Sequence, residues 1–166
     1  MPEPLHLWRA YVPRWAYLPL SGEGAARFGG RWNPVGTPTI YAALELSTAW
    51  AEYNQGFVQH PALIARLVLS GARLADLTDA TVLAETGASP DIHACEWRAA
   101  IDAGETPATH ALQGRLASEG WHGVIYPSVM SIGGMCVALW TWNTGGVRLE
   151  FVDPDHRLPQ SPASWL

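Results

Sequence analysis

The segment from Pro13 to Pro38 limits the possible folds more than any other part of the chain. It holds five glycines and four prolines. Because glycine and proline interrupt helices, this density predicts an ordered irregular loop that contains no helix. Most connections in compact domains span about 4–6 residues, and ordered loops that are much longer are usually functional. We therefore expect this loop to contribute to a binding site.

Apolar periodicity predicts the regular elements. Short alternating or continuous apolar runs predict strands at residues 5–12, 39–43, 62–69, 123–126, 135–140 and 147–152. Three- and four-residue spacing predicts helices at residues 48–54, with Ser47 as cap, and at 79–86, 93–103 and 108–119. The glycine-rich segment 143–146 predicts a hairpin turn between the last two strands.

This order of elements, with strands at both ends and helices between them, is typical of one α+β domain. We expect central β-sheets flanked by helices. The domain is placed at residues 1–152, and a proline-rich tail follows at residues 153–166.

Charge and composition exclude several classes of function. The net charge is −5, and all ten cationic side chains are arginine because the chain has no lysine. This charge disfavours direct nucleic-acid binding, and the absence of lysine excludes Schiff-base chemistry and a Walker-type phosphate site. Charged residues make up only 15% of the chain, below the usual ~25%, and nine tryptophans are present. Such a composition indicates a surface that meets a partner.

The remaining metal, redox and membrane signals are weak. Cys95 and Cys136 form no C-x-x-C motif and the six histidines lack ligand spacing, so we expect no metal and interpret both cysteines as small buried hydrophobes. The N-terminus has no signal-peptide pattern, and no apolar run reaches the ~18 residues of a membrane helix. We expect a cytoplasmic protein without membrane contact.

Four short motifs together resemble the RES-domain family. They are Leu7-Trp8-Arg9-Ala10, the run Phe28-Gly29-Gly30-Arg31-Trp32-Asn33-Pro34 that leads to Tyr41, Ala49-Trp50-Ala51-Glu52, and Ile125-Tyr126-Pro127-Ser128. The resemblance extends from residue 5 to about residue 152. The family is named for Arg, Glu and Ser, which would here be Arg31, Glu52 and Ser128.

The resemblance implies a fold similar to ADP-ribosyltransferases and a bacterial toxin that is encoded beside an Xre-type antitoxin and consumes NAD⁺. It implies cleavage of the nicotinamide–ribose bond, with water, phosphate or a protein side chain as acceptor. Transfer of ADP-ribose to a host protein is one alternative. A non-catalytic NAD-binding or protein-interaction module is an alternative from another class.

Each candidate residue has a role that suits this chemistry. Glu52 would stabilise the positive charge that develops on the ribose. Arg9 and Arg31 would clamp the pyrophosphate, Tyr41 would stack on nicotinamide, and Ser128 would donate to a ribose hydroxyl or the amide oxygen. We therefore expect a catalytic set of Glu52, Arg31, Tyr41 and Ser128, and a binding set of Arg9, Arg31, Tyr41 and Ser128.

Without the resemblance, the same residues also fit plain structural roles. Arg9 could pair with a surface carboxylate, Tyr41 could be a half-buried core aromatic, Glu52 could be a solvated helix residue, and Ser128 could belong to a turn. Arg27 and Arg31 could hold anionic oxygens, but the Gly-rich segment also fits a structural loop and has neither a Walker nor a Rossmann pattern.

Overall fold

The computed structural model describes residues 3–56 and 58–165, and side chains as far as residue 163. Its strands are β1 (Leu5–Tyr11), β2 (Ile40–Ala43), β3 (Leu63–Ser70), β4 (Leu74–Asp76), β5 (Gly123–Pro127), β6 (Met135–Leu139) and β7 (Arg148–Phe151). Its α-helices are α1 (Glu23–Phe28), α2 (Leu46–Asn54), α3 (Ala80–Glu85), α4 (Trp97–Asp102) and α5 (Ala108–Ser118). Short 3₁₀ helices cover Pro13–Trp15, Pro90–Ala94 and Pro162–Trp165.

All seven strands belong to one sheet with the order β4-β5-β6-β2-β1-β3-β7. The β4–β5 pair is parallel and the other pairs are antiparallel. The predicted α+β class is confirmed, with one continuous sheet and helices packed against it. None of the helices in the described ranges is long and apolar enough to cross a membrane.

The sheet has an apolar core on each face because its strands alternate with a period of two. On β6, Cys136 and Ala138 pack into one core, whereas Val137 and Leu139 pack into the other. The first core also receives α3, α5 and the buried Trp32, so the helices cover this face. The candidate residues on α2 and after β5 therefore meet on the helical side.

Strands β1 and β2 separate almost as soon as they meet. Their ladder consists of the single pair Trp8 and Ala43, whereas β1 pairs with β3 along its whole length. The segment between β1 and β2 folds beside this opening. A pocket can therefore reach between two neighbouring strands of the sheet.

The prediction that the segment 13–38 contains no helix is wrong. Helix α1 forms inside it, with Gly22 at its N-terminal cap and Gly29, at φ 72°, at its C-terminal cap. These glycines end the helix and do not interrupt it, because glycine favours such terminal positions. Between them, Ala25 and Ala26 are strong helix formers and Glu23 lies in the favourable first turn.

Two helix predictions need smaller corrections. Helix α2 is capped by the extended Glu45, so Ser47 lies inside the first turn and is not the cap. The predicted helix 93–103 is a 3₁₀ helix that ends at Ala94, followed by α4, because Cys95 is extended at ψ 116°. The short β4 was not predicted, since three residues are too few to show a period.

The predicted hairpin between β6 and β7 is also wrong. Strand β6 already pairs with β5 on one side and β2 on the other, and β7 pairs with β3. The segment 143–146 does turn sharply, with a bridge between Thr144 and Val147. The connection that contains this turn leads from the interior strand β6 to β7 at the edge of the sheet.

Along the β7 edge, the Asn143 side chain binds the backbone N–H and C=O of Leu149, which face away from the sheet. The Asn143 amide donates to the carbonyl oxygen of Leu149 at 3.2 Å and accepts from its N–H at 2.8 Å. In an antiparallel ladder, a residue directs both backbone groups to the same side. Leu149 thus turns both groups away from β3, and the asparagine amide satisfies them.

Candidate active site

A cavity of about 620 Å³ opens where β1 and β2 separate. Its size lies within the ~300–1,000 Å³ usual for small-molecule sites. It is lined by residues from the glycine-rich segment, β1, β2, α2, α4, β5, β6 and the turn after β5. Among them are the predicted site residues Arg9, Arg31, Tyr41 and Glu52, and also Trp8, Gln55, Tyr126 and Cys136.

Glu52 projects from the body of α2, and one of its carboxylate oxygens is held by three donors. Oε1 accepts from the Ser128 hydroxyl at 2.5 Å, from the Val129 N–H at 3.2 Å and from the Cys136 thiol at 3.8 Å. The other oxygen, Oε2, has no hydrogen-bond partner among the described residues. The carboxylate is therefore fixed in orientation and keeps one oxygen for a ligand.

Ser128 is itself fixed by the turn that follows β5. Its hydroxyl oxygen accepts from the N–H groups of Met130 at 3.1 Å and Ser131 at 2.9 Å. Its own N–H donates to the carbonyl oxygen of Gly134 at 2.8 Å, which closes the turn. Because the two turn amides occupy its lone pairs, the hydroxyl proton points to Glu52.

Cys136 lies beneath Glu52 and was not predicted to belong to the site. It is opposite Ala43 of β2 and Tyr126 of β5 in the sheet, and it is buried. Burial and the nearby Glu52 carboxylate raise the pKa of the Cys136 thiol to about 12. The neutral thiol can therefore donate weakly to Glu52.

Arg31 enters the same cavity from the glycine-rich segment. Its Nη1 donates to the carbonyl oxygen of His93 at 3.1 Å, and His93 Nε2 donates to the carbonyl oxygen of Leu77 at 3.0 Å. Among the described residues the only ion pair is Arg157 with Asp155, so Arg31 and Glu52 are not within 4 Å. Most N–H groups of the guanidinium remain available to a ligand.

Tyr41 holds the backbone that carries Arg31. Its hydroxyl accepts from the Trp32 N–H at 2.9 Å and donates to Asn33 Oδ1 at 2.6 Å. Burial raises the pKa of Tyr41 above its ordinary value, which keeps the phenol protonated for this donation. The hydroxyl is thus occupied by the protein, and Tyr41 also lines the cavity.

The segment is held from the opposite side by His110 of α5, whose Nε2 donates to the carbonyl oxygen of Gly30 at 2.7 Å. A Cβ at Gly30 would lie 2.5 Å from the Tyr41 hydroxyl and 2.8 Å from Asn33 Oδ1. Only glycine fits this position, because real Cβ atoms do not approach neighbours so closely. The backbone is therefore packed tightly on both sides of Arg31.

Arg9 lines the cavity but is already bound to the protein. Its Nη1 and Nη2 donate to the carbonyl oxygens of Pro19 at 2.7 Å and Ser21 at 2.8 Å. Burial lowers the pKa of Arg9 to about 10. No carboxylate lies within 4 Å of it in the described part of the chain, so its charge is not neutralised.

The structure thus brings Arg9, Arg31, Tyr41 and Glu52 to one cavity and attaches Ser128 to Glu52. Arg27 is exposed and is not part of the lining; its guanidinium lies 5.7 Å from the Phe28 ring centroid. Four residues at the site were not predicted from the sequence: Cys136, His93, His110 and Gln55. For Cys136 the strand alternation was a usable signal, but the two histidines act through single contacts that no local pattern indicates.

Comparison with known proteins shows similarity to one family and to solved structures. The family model of the RES domain matches residues 6–161. The crystal structure of the M. tuberculosis MbcT–MbcA toxin–antitoxin complex contains a chain with 20% sequence identity and a TM-score of 0.65, covering 91% of this chain and 85% of that chain. No match was found among the curated proteins. Because the family model covers nearly the whole sequence, the chain belongs to the RES domain family.

Proposed function

We propose that this protein is the toxin of a bacterial toxin–antitoxin pair and that it cleaves the nicotinamide–ribose bond of NAD⁺. The observation that carries the proposal is the position of Glu52. Its carboxylate is held by Ser128 at 2.5 Å, keeps Oε2 without a protein partner among the described residues, and lines the same cavity as Arg31.

The carboxylate suits the charge that this reaction creates. When the bond between the ribose C1′ and the nicotinamide nitrogen breaks, the electron pair leaves with nicotinamide and the ribose gains oxocarbenium character. A carboxylate that is already oriented stabilises that charge without reorganisation. Nicotinamide departs as a neutral molecule, so no general acid is needed. An acceptor oxygen then bonds to C1′ and loses its proton to solvent.

The arginines suit the anionic part of the ligand. Arg31 has free guanidinium donors in the cavity, and the charge of Arg9 is desolvated without a carboxylate within 4 Å in the described residues. A buried cation without a counter-ion is unfavourable, and a pyrophosphate would supply the missing charge. Arg31 is then the direct clamp, and Arg9 contributes mainly its field, since Pro19 and Ser21 occupy two of its nitrogens.

The RES domain family and the likeness to a chain of a toxin–antitoxin complex support the proposed toxin role. We propose an Xre-type antitoxin as partner, seated at the cavity mouth beside the glycine-rich segment. Phe28, exposed at 75%, and Val129, exposed at 58%, line the cavity, and the same two segments also expose Val35 at 68% and Ile132 at 107%. Clustered exposed apolar groups are typical of a protein interface.

The proposal is tested by incubating the purified protein with NAD⁺ and measuring released nicotinamide by mass spectrometry. Reactions are run with buffer alone, with phosphate and with host lysate. Water as acceptor gives ADP-ribose, phosphate gives phosphorylated ADP-ribose, and transfer to a protein adds ADP-ribose mass to a host polypeptide. The Glu52→Gln variant is the matched control. Folded wild-type protein that releases no nicotinamide with any acceptor would reject the catalytic proposal in favour of a binding module.

A further inference from the structure

Gln55 combines an unfavourable backbone with a place in the cavity. It follows α2 directly and adopts the left-handed conformation, with φ 50° and ψ 35°. Side chains with a Cβ disfavour this region, and helices usually place glycine there. Here the glycine comes one residue later, at Gly56. Residues held in such conformations are concentrated at functional sites.

Two other described non-glycine residues have positive φ, and their surroundings differ. Asn143, at φ 53°, uses its amide to cap Leu149, which accounts for its conformation. His156, at φ 52°, lies exposed in a turn closed by its N–H and the Asp153 carbonyl oxygen. The Gln55 side chain has no hydrogen-bond partner among the described residues, and it alone of the three lines the cavity.

The position of Gln55 relative to Glu52 suggests what its amide contacts. Both residues line the cavity, and the Gln55 N–H still donates to the carbonyl oxygen of Ala51 at 2.9 Å, so the backbone advances about 4.5 Å along the α2 axis from Glu52 to Gln55. In NAD⁺ the bond that breaks joins the ribose C1′ to a pyridine ring. The carboxamide on that ring lies a similar distance from C1′. When the Glu52 carboxylate lies beside the ribose, Gln55 therefore lies close to that carboxamide.

The two groups are also chemically complementary. A primary amide offers both an N–H donor and a carbonyl acceptor, and so does the nicotinamide carboxamide. We propose that the Gln55 amide pairs with the nicotinamide carboxamide and makes Gln55 a specificity-determining residue of the site. This inference rests on the proposed NAD⁺ cleavage.

The test compares kcat/KM for NAD⁺ and for its 3-acetylpyridine analogue, in which a methyl group replaces the carboxamide nitrogen. In the Gln55→Ala variant we expect a loss of roughly 3- to 10-fold for NAD⁺, the size of one or two neutral hydrogen bonds. The analogue keeps the carbonyl acceptor but has no N–H donor, so it can form only one of the two hydrogen bonds, and its kcat/KM should fall by a smaller factor than that for NAD⁺, about 2- to 3-fold. An equal loss for both substrates, or no loss for NAD⁺, would overturn the assignment.

Two glycine variants separate the loss of the Gln55 side chain's contact with nicotinamide from the relief of an unfavourable backbone conformation. Gln55→Gly and His156→Gly should each raise the melting temperature by about 1–4 °C, because each removes a Cβ from a left-handed residue. Gln55→Gly should lose NAD⁺ preference as Gln55→Ala does, whereas His156→Gly should keep it. If Gln55→Gly keeps the preference, the assignment is wrong while NAD⁺ cleavage still stands. If the wild type releases no nicotinamide, both proposals fail.

Discussion

The Ser128 hydroxyl donates a 2.5 Å hydrogen bond to Oε1 of Glu52 across 76 positions of sequence. The bond connects the middle of α2 to the turn after β5. It exists because β6 lies between β2 and β5 and so brings α2 and the turn together. The sheet order thereby orients the carboxylate.

Replacing Ser128 with Ala should loosen that carboxylate, because only the longer hydrogen bonds from Val129 and Cys136 remain. A hydrogen bond to a charged group contributes about 1.5–3 kcal/mol, so we expect kcat for NAD⁺ cleavage to fall roughly 10- to 100-fold with little change in KM. Steady-state kinetics measure this. Ser131→Ala changes the same turn without touching Glu52 and should retain kcat. An equal loss of kcat in both variants would mean that the turn conformation, and not the hydrogen bond from Ser128 to Glu52, supports catalysis.

Arg31 and Glu52 should differ in what they contribute. Arg31→Ala removes a charge-assisted contact and should weaken NAD⁺ binding roughly 10- to 100-fold, equivalent to about 1.5–3 kcal/mol. Glu52→Gln should keep binding within about 3-fold and lose at least ~100-fold in turnover. Calorimetry and nicotinamide release measure the two quantities, and Arg27→Ala, outside the cavity, serves as control. Equal loss of binding in both site variants would assign Glu52 a scaffolding role.

Tyr41→Phe should reduce folding stability, although it preserves the aromatic ring. The change leaves the Trp32 N–H and Asn33 Oδ1 without their partner, and an unsatisfied buried polar group costs about 1–3 kcal/mol. Urea denaturation measures the free energy of unfolding. Tyr17→Phe is a suitable control, since no hydrogen bond of the Tyr17 hydroxyl is found within the described ranges. A stable Tyr41→Phe variant would show that the hydroxyl does not hold the segment.

The raised pKa of Cys136 predicts a thiol that resists alkylation. Its pKa rises from 9.0 to about 12 on folding, so the native thiol stays protonated at pH 9, where the unfolded thiol is half ionised. The linked stability is present below pH 9 and is lost as pH rises toward 12. Iodoacetamide at pH 9 should label the partly exposed Cys95 and leave Cys136 unmodified until guanidinium is added. Rapid labelling of native Cys136 would contradict its burial.

Much of the fold was predictable because strand alternation survives in the sequence. The residues near positions 5, 40, 63, 123, 135 and 148 all start strands close to where their apolar runs begin. One error arises from treating glycine only as a helix breaker. Gly22 and Gly29 instead cap α1 at its two ends, in a segment whose glycine content predicted no helix. The hairpin between β6 and β7 was mispredicted because the strand pairing depends on long-range contacts.

The candidate site was predictable as a set of residues but not as an arrangement. Glu52, Arg31 and Ser128 were each named from motifs, yet neither spacing nor period indicates that Ser128 bonds to Glu52 or that His93 holds Arg31. Stacking of Tyr41 on nicotinamide stays a prediction, and no motif indicates that its hydroxyl also accepts from the Trp32 N–H beside Arg31. Such roles depend on contacts between distant segments, which a single sequence does not record.

Antitoxin and NAD⁺ should compete if the antitoxin covers the cavity mouth. Titration of NAD⁺ into the purified complex should give at least ~10-fold weaker apparent affinity than titration into the free protein, because both ligands would occupy the same surface. Ile132→Asp should weaken antitoxin binding by burying a charge at the interface, whereas Val152→Asp, at the end of β7, should not. Equal NAD⁺ affinity in the complex and in the free protein would reject occlusion of the cavity by the antitoxin.

The amide of Asn143 also determines how copies of this chain can meet. An open sheet edge invites another polypeptide to add a strand, which leads to domain swapping and aggregation. At Leu149 the outward N–H and C=O are already bonded to Asn143, so an incoming strand would have to displace this side chain first. The asparagine therefore protects this part of the β7 edge against unwanted self-association.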